Sequence, residues 1–104
     1  MKYAMVFVTA VNIEEARKIA AQVVKERFAA CVSIVENIES MYWWQGKVNK
    51  SIEVLLIMKT KTSLAKKLIS KVKSLHSYKV PEVTFLPIIN GNPDYLKWLE
   101  DETK

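Results

Sequence analysis

The sequence predicts an α+β fold in which strands and helices follow one another as βαββαβ, with a short helix at the end of the chain. Short apolar runs rich in β-branched residues alternate with two stretches whose apolar positions recur at helical spacing. A long aromatic hairpin joins the second and third strands, and an Asn-Pro pair opens the last helix. At 104 residues the chain has room for one core, so residues 1–104 are predicted to form a single domain.

The first strand is predicted at Tyr3–Thr9, an apolar run that is too short for a helix. Asn12 can cap the helix that follows, and Glu15 stands at its third position, as in a capping box. The apolar stripe of this helix consists of Ala16, Ile19, Ala20, Val23 and Val24. The chain passes directly from a strand into a capped helix, which argues against an N-terminal signal peptide.

The segment Ser40–Lys61 is predicted to form a long β-hairpin. Its first arm carries Tyr42, Trp43 and Trp44, and Gly46 in the turn can take a positive φ. Neighbouring aromatic residues in a strand point to opposite faces, so this arm needs apolar cover on both sides. A domain of this size covers one side, and we therefore predict that these three aromatic residues lie in an interface with another copy of the chain.

The second strand begins within Ala30–Val35 and is predicted to continue into the aromatic arm. A bend or bulge near Asn37 would let its first half pair inside the domain while the second half projects outward. The third strand contains the apolar run Ile52–Met58 and is expected to end at Lys61.

Thr62 or Ser63 is predicted to cap the second helix, which should end near His76. An extended connection then leads to a fourth strand at Val83–Ile89, which carries Pro87 and therefore suits a bulge or a sheet edge.

The last helix is predicted to start with Asn92 as its cap and Pro93 as its first residue.

The complete order is that of a ferredoxin-like sandwich, in which both main helices cover one face of the sheet. No helix is assigned to the other face. Its apolar strands nevertheless imply burial, so we predict a closed homotrimer in which this face and the hairpin arm find cover.

Composition narrows the classes of function. The single cysteine, Cys31, excludes an intrachain disulfide and is typical of a reducing cytoplasm, and no apolar run reaches membrane-spanning length. The net charge of +5 includes four lysines on the second helix, which are interpreted as a solvated polar face. An RNA-recognition module shares the element order, but the third strand lacks the aromatic residues that such a module needs. We predict no nucleic-acid or membrane partner.

No constellation of catalytic residues is present. The chain has one histidine, no HExxH motif and no glycine-rich phosphate loop, and no nucleophile stands beside a base in a recognised pattern. Cys31 falls on a predicted core strand, where a buried apolar role is the commoner one. The sequence therefore predicts a binding protein rather than an enzyme.

Three stretches, AACVSIVENIESMYWWQGKVNKSIEVLLIMKTK, LHSYKVPE and NPDYLKWL, resemble the CutA family of divalent-cation tolerance proteins, and the likeness extends over nearly the whole chain. The resemblance implies a ferredoxin-like protomer, a homotrimer with hairpins paired across subunits, a cytoplasmic setting and a role in tolerance of copper and other divalent cations. Family members are also similar in structure to PII-type signalling trimers. These bind small effectors in clefts between subunits, so a PII-like regulator of a small anionic ligand is the alternative.

The resemblance also implies a copper site in some members, formed by a cysteine in the first strand and two consecutive histidines. Val8 and Leu75 stand at two of those positions here, so His76 alone remains of the three. We predict weak binding of copper or another divalent cation, with His76 as the main metal ligand and either Glu82 or a residue of a neighbouring subunit completing the coordination. His76 has a second interpretation as a helix-end residue that contacts the terminal carbonyls.

A second candidate site combines Lys59, Lys61 and Tyr78 with His76 and Glu82. We expect the end of the third strand and the start of the fourth to meet at one edge, where the lysines would bind an anionic effector. The alternative for these residues is a structural network of ion pairs.

Overall fold

The structure, a computed structural model that describes residues 1–104, confirms the α+β fold. Its elements are β1 (Tyr3–Ala10), α1 (Ile13–Lys25), β2 (Cys31–Trp44), β3 (Lys47–Lys61), α2 (Ala65–Leu75), β4 (Val83–Pro87) and α3 (Pro93–Glu102). The four strands form one sheet in the order β2-β3-β1-β4, and every neighbouring pair is antiparallel. This is the predicted ferredoxin-like plan. No helix is both long enough and apolar enough to span a membrane.

The core lies between one face of the sheet and helices α1 and α2. Along β1 every second residue is buried, so Ala4, Val6, Val8 and Ala10 face the helices. Leu56 and Met58 of β3 lie opposite Val8 and Val6 and are also fully buried. The helices contribute Ala16, Ile19, Val23, Leu68 and Val72 to the same cluster.

The second sheet face is partly covered by α3, contrary to the expectation that it carries no helix. Leu99 of α3 is fully buried, and the Glu100 carboxylate accepts hydrogen bonds from the Tyr3 hydroxyl (3.1 Å) and the Lys61 ammonium (3.0 Å). Tyr3 and Lys61 lie opposite each other on the face that points away from the main helices. The terminal helix therefore occupies one corner of this face, a position that its short apolar pattern did not indicate.

The long hairpin continues beyond the rest of the sheet. β1 pairs with β3 only from Val54 to Lys61, so the preceding part of β3 has β2 as its sole neighbour. We call the paired segments 38–44 and 47–53 the projecting ribbon. It gives the molecule an elongated outline of 44 × 25 × 23 Å.

The predicted β-bulge near Asn37 is present. Val35 pairs with Leu55, but the next pair is Ile38 with Glu53, so β2 has one extra residue at this point. Asn37 takes a φ of 61°, in the left-handed region that Asn tolerates better than most residues. The bulge bends β2 where the projecting ribbon leaves the sheet.

The turn of the hairpin has two residues, Gln45 and Gly46, with φ values of 52° and 78°. Positive φ at both positions is typical of a type I′ turn, whose twist matches that of the flanking strands.

The caps of α1 and α3 are confirmed. The Asn12 side chain accepts a hydrogen bond from the Glu15 N–H at 2.8 Å, and the Asn92 side chain accepts one from the Asp94 N–H at 3.0 Å. The cap predicted for α2 is wrong. The Thr62 hydroxyl donates to the Met1 carbonyl at 2.7 Å, and Thr62 and Ser63 both lie in a 3-10 turn, Thr62–Leu64, that precedes the helix.

The fourth strand ends at Pro87, two residues earlier than predicted. β4 lies at the edge of the sheet, and Pro87 pairs with Ala4 at the end of the β1-β4 ladder. A proline has no N–H to donate, so an edge position at the end of a strand accommodates it.

The bulge provides a stability test. We expect Asn37→Val to lower the free energy of unfolding by about 1–2 kcal/mol, since a β-branched side chain is strained in the left-handed region. Asn37→Gly is the matched control, because glycine adopts this φ without strain and should leave stability unchanged or higher. Chemical denaturation at one fixed protein concentration measures both variants. Equal stability of the two would show that the backbone at residue 37 is not held at positive φ.

Candidate functional site

His76 follows the last residue of α2, and its side chain is fully buried. Its Nε2 lies 2.6 Å from the carbonyl oxygen of Thr9, and its Nδ1 accepts a hydrogen bond from the Tyr78 N–H at 3.0 Å. Since Nδ1 accepts, it carries no proton, and the proton on Nε2 is the one donated to Thr9. The imidazole is therefore hydrogen-bonded through both nitrogens.

This geometry contradicts the prediction of His76 as a metal ligand. A metal ion needs the lone pair of an unprotonated ring nitrogen, and the only such nitrogen is occupied by the Tyr78 N–H. No group of three or more His, Cys, Asp or Glu side chains in this chain is arranged to hold a metal ion. The second interpretation of His76 is also incomplete, because the ring bonds to the end of β1 rather than to the carbonyls of its own helix.

Glu15 connects the start of α1 with the end of α2. One carboxylate oxygen accepts the Ser77 N–H at 2.6 Å, and the other accepts the Val11 N–H at 3.1 Å and lies 4.0 Å from Nδ1 of His76. Burial opposes ionisation of this carboxyl, but the backbone N–H donors more than offset it and hold its pKa below the ordinary value. The charged Glu15 therefore keeps the segment after His76 close to α1.

Tyr78 extends this network toward the projecting ribbon. Its hydroxyl donates to the Glu53 carboxylate at 2.7 Å, and its ring centre lies 4.7 Å from that of His76. Burial, together with the hydrogen bond to Glu53, raises the pKa of the Tyr78 phenol well above its ordinary value. The phenol therefore stays protonated at neutral pH and donates a hydrogen bond to a carboxylate that is 7% exposed.

A cleft of about 550 Å³ lies between this network and the projecting ribbon. Its polar lining comprises Thr9, Ser40, Glu53, Tyr78, Lys79 and Glu82, and its apolar lining includes Met41, Tyr42 and Trp44. Glu82 is exposed and accepts a hydrogen bond from the Thr84 hydroxyl at 2.9 Å. Two carboxylates and several hydroxyl groups make this cleft rich in oxygen donors, which hard divalent cations prefer.

Lys59 and Lys61 do not belong to this cleft, so the predicted effector cluster is wrong. β3 and β4 both run antiparallel to β1, and they are therefore parallel to each other. The end of β3 is then level with the end of β4 rather than with its start. At ~3.3 Å per residue, Lys59 lies roughly 20 Å along β3 from Glu53, to which Tyr78 is bonded.

Each of the two lysines has its own partners. The Lys61 ammonium lies 3.0 Å from Glu100, and its hydrogen bond, after that of Lys2, lowers the pKa of this carboxyl to about 2. The Lys59 ammonium donates to the Ser33 hydroxyl at 3.0 Å and lies 3.8 Å from the Cys31 sulfur. Lys61 thus belongs to an ion-pair network with Glu100 and Lys2, which lies outside the predicted set of residues.

The three consecutive aromatic residues of the ribbon are exposed in the single chain. Tyr42, Trp43 and Trp44 are 41%, 74% and 46% exposed, respectively. Tyr42 and Trp44 line the cleft, whereas Trp43 pairs with Val48 on the opposite face of the ribbon. Their role in a subunit interface stays a prediction. Residues of such an interface are exposed when the chain is alone, as these three are.

Three residues of the site have roles that were not predicted from the sequence: Glu53, Thr9 and Glu15, the last of which was assigned only to a helix cap. Glu53 interrupts the apolar run of β3, and a lone carboxylate in such a run indicates a buried polar contact. Thr9 acts through its backbone carbonyl, so its side chain carries no signal of this role.

The chain matches the family model described as "CutA1 divalent ion tolerance protein" over residues 4–102. It is 49% identical over 100 residues to "Protein CutA 1, chloroplastic" of Oryza sativa, covering 96% of this chain and 56% of that protein. It is 48% identical to the "Divalent-cation tolerance protein CutA" of Thermus thermophilus, covering 95% of this chain and 96% of that protein. The chain thus spans about half the length of the plant relative and nearly all of the bacterial one.

The fold agrees with this match. A solved structure of the Thermus thermophilus "Divalent cation tolerance protein (Cut A1)" superimposes with a TM-score of 0.96 at 47% identity. That alignment covers 98% of this chain and 99% of the other.

His76 supports the wall of the cleft, and its removal should be costly. We expect His76→Ala to lower the free energy of unfolding by about 2–4 kcal/mol, because it leaves a cavity and two backbone groups without partners. Lys79→Ala is the control. Lys79 is an exposed residue of the same loop, so its replacement should have little effect on the free energy of unfolding. Denaturation curves for both variants measure the difference. If His76→Ala were as stable as Lys79→Ala, the two hydrogen bonds of the ring would not stabilise the fold.

Proposed function

The chain belongs to the CutA1 divalent ion tolerance family, and from this we propose that it acts in divalent cation tolerance as an oligomeric binding protein rather than as an enzyme. The observation that carries the proposal is the cleft beside the projecting ribbon, where Glu53 and Glu82 provide carboxylate oxygens. The descriptions of the family model and of the Thermus thermophilus relative name tolerance and no reaction.

In this proposal a divalent cation binds weakly between Glu53 and Glu82. Oxygen donors suit Mg²⁺, Ca²⁺ and Mn²⁺, whereas a copper site normally includes imidazole or sulfur ligands. Because His76 uses both ring nitrogens inside the chain, copper has weaker support than a cation that accepts oxygen ligands alone. One chain supplies too few donors for a complete coordination sphere, so a neighbouring subunit contributes the others.

We propose a homotrimer whose subunits cover one another's projecting ribbons. Besides the three aromatic residues, Val48 and Ile52 of the ribbon are 60% and 57% exposed. Two-stranded ribbons with apolar residues on both faces are marginal in water, so an assembled state is favoured. The cleft lies against this ribbon, and assembly would then bring a second chain close to Glu53 and Glu82.

The alternative, a PII-like regulator that binds a small anionic ligand, loses its main support. It depended on Lys59 and Lys61 beside Tyr78, and these lysines lie elsewhere with partners of their own. A cytoplasmic location also remains a prediction, since the Oryza sativa relative is named as chloroplastic.

The cation site is tested by titration calorimetry with MnCl₂ and CuCl₂ on Glu53→Gln and Glu82→Gln. We expect each variant to weaken Mn²⁺ binding by about tenfold, because a neutral amide replaces a charged ligand. Glu36→Gln is the matched control, since Glu36 is exposed and lies outside the cleft. Loss of copper binding in His76→Ala alone, with both glutamate variants unaffected, would overturn the oxygen site and restore the imidazole ligand.

The assembly is tested by sedimentation at micromolar concentration, where we expect three copies of the chain in one particle and no folded monomer. Trp44→Arg should shift the population to smaller species, because an unpaired charge would enter a desolvated contact. Ala21→Arg, which adds the same charge at an exposed position on α1, should leave the assembly intact. A monomeric wild-type protein, or equal dissociation of both variants, would contradict the proposal.

A further inference from the structure

A second concave surface lies on the helical side of the molecule and shares no residue with the cleft. One wall is formed by residues of α2, namely Lys66, Lys67, Ser70, Lys71 and Ser74. The opposite wall includes Glu26, Phe28 and Lys104. We call this surface, with a volume of about 540 Å³, the lysine groove.

Positive charge predominates in the lysine groove. It contains four lysines against one glutamate, and that carboxylate is already paired with Lys71 at 2.8 Å. Lys104 lies over the Phe28 ring, 5.1 Å from its centre. Neither Lys66 nor Lys67 takes part in any ion pair of the chain, and both are exposed. The two lysines are therefore free to contact a ligand.

The charges at the start of helix α2 are unfavourable for the helix. Two lysines occupy its first turn, where the helix dipole favours negative charge, and no side chain caps it. Lys67 and Lys71 stand four residues apart, a spacing at which like charges repel, and α2 contains no acidic residue. Glu26 compensates Lys71, but no acidic side chain compensates Lys66 or Lys67, and local features that oppose folding are expected at functional sites.

The side chains that line the lysine groove indicate which class of ligand it can bind. Ammonium groups and the Ser70 hydroxyl suit phosphate oxygens, and the groove has no arginine to grip a planar carboxylate through two parallel hydrogen bonds. Its single aromatic ring, Phe28, is already covered by Lys104, so no free ring is available for stacking of a nucleic-acid base. The volume is within the range of small-molecule sites.

We propose that the lysine groove binds a small compound with two or more phosphate groups, held by Lys66 and Lys67 with Ser70. Two neighbouring ammonium groups match separate phosphates of one ligand better than a single orthophosphate ion. This site is independent of the divalent-cation cleft, and either can exist without the other.

The test is titration calorimetry of the full chain with sodium triphosphate, and with orthophosphate for comparison. We expect triphosphate to bind more tightly than orthophosphate and the double variant Lys66→Gln, Lys67→Gln to weaken it by about tenfold or more. The matched control is Lys18→Gln, Lys73→Gln, which removes the same charge from exposed lysines outside the groove and should change the affinity less than about twofold. Thermal unfolding of both double variants verifies that they fold.

Three outcomes would overturn the proposal. Absence of triphosphate binding by the wild-type protein would do so, and so would equal weakening in the two double variants, which indicates attraction to net charge alone. The third is binding to vesicles of phosphatidylserine and phosphatidylcholine, or to single-stranded RNA, that depends on Lys66 and Lys67 and is tighter than the binding of triphosphate. Such a result would identify the groove as a contact for a larger anionic surface.

Discussion

The difference in length between β1 and β3 creates both the projecting ribbon and the cleft beside it. β1 has 8 residues and β3 has 15, so about half of the central β3 strand has no partner on its β1 side. Where both strands are present, alternate residues are buried under α1 and α2. Beyond Ala10 the sheet narrows to two strands, the projecting ribbon begins, and its apolar residues lose the helices that would cover them. The cleft lies at the place where the sheet narrows.

The network around His76 connects the narrowing part of the sheet to the helices. The ring contacts the end of β1 through Thr9 and the following loop through Tyr78, whose hydroxyl reaches Glu53 at the base of the ribbon. Glu15 holds the same loop from the start of α1. A change in the position of the ribbon, such as one caused by a neighbouring subunit, would therefore act on Glu53 and on the wall of the cleft together. This coupling gives a physical reason for expecting cation binding and assembly to influence each other.

The local features of the fold could be predicted from the sequence because each depends on neighbouring residues. Asn12 and Asn92 cap their helices, the bulge lies at Asn37, and the turn at Gly46 has the expected positive φ. The prediction of the α2 cap was wrong because Thr62 finds a partner in Met1, a contact across 61 positions in the chain. The coverage of the second sheet face was missed for a similar reason, since α3 docks through Tyr3 and Lys61 from distant parts of the sequence.

The element order, the ferredoxin-like plan and the outward projection of the ribbon were predictable from the sequence, because hydrophobic period and turn chemistry are local properties. The family was predictable from the resemblance that three stretches carry. Which polar residues meet depends instead on contacts between distant parts of the chain. His76 became a buried structural ring rather than a ligand, Lys59 and Lys61 were separated from Tyr78, and Glu53 was brought to it. The reason is that β3 and β4 both pair antiparallel with β1 and therefore run in the same direction. The end of β3 and the start of β4 follow each other in the chain's element order, but they lie at opposite ends of the sheet.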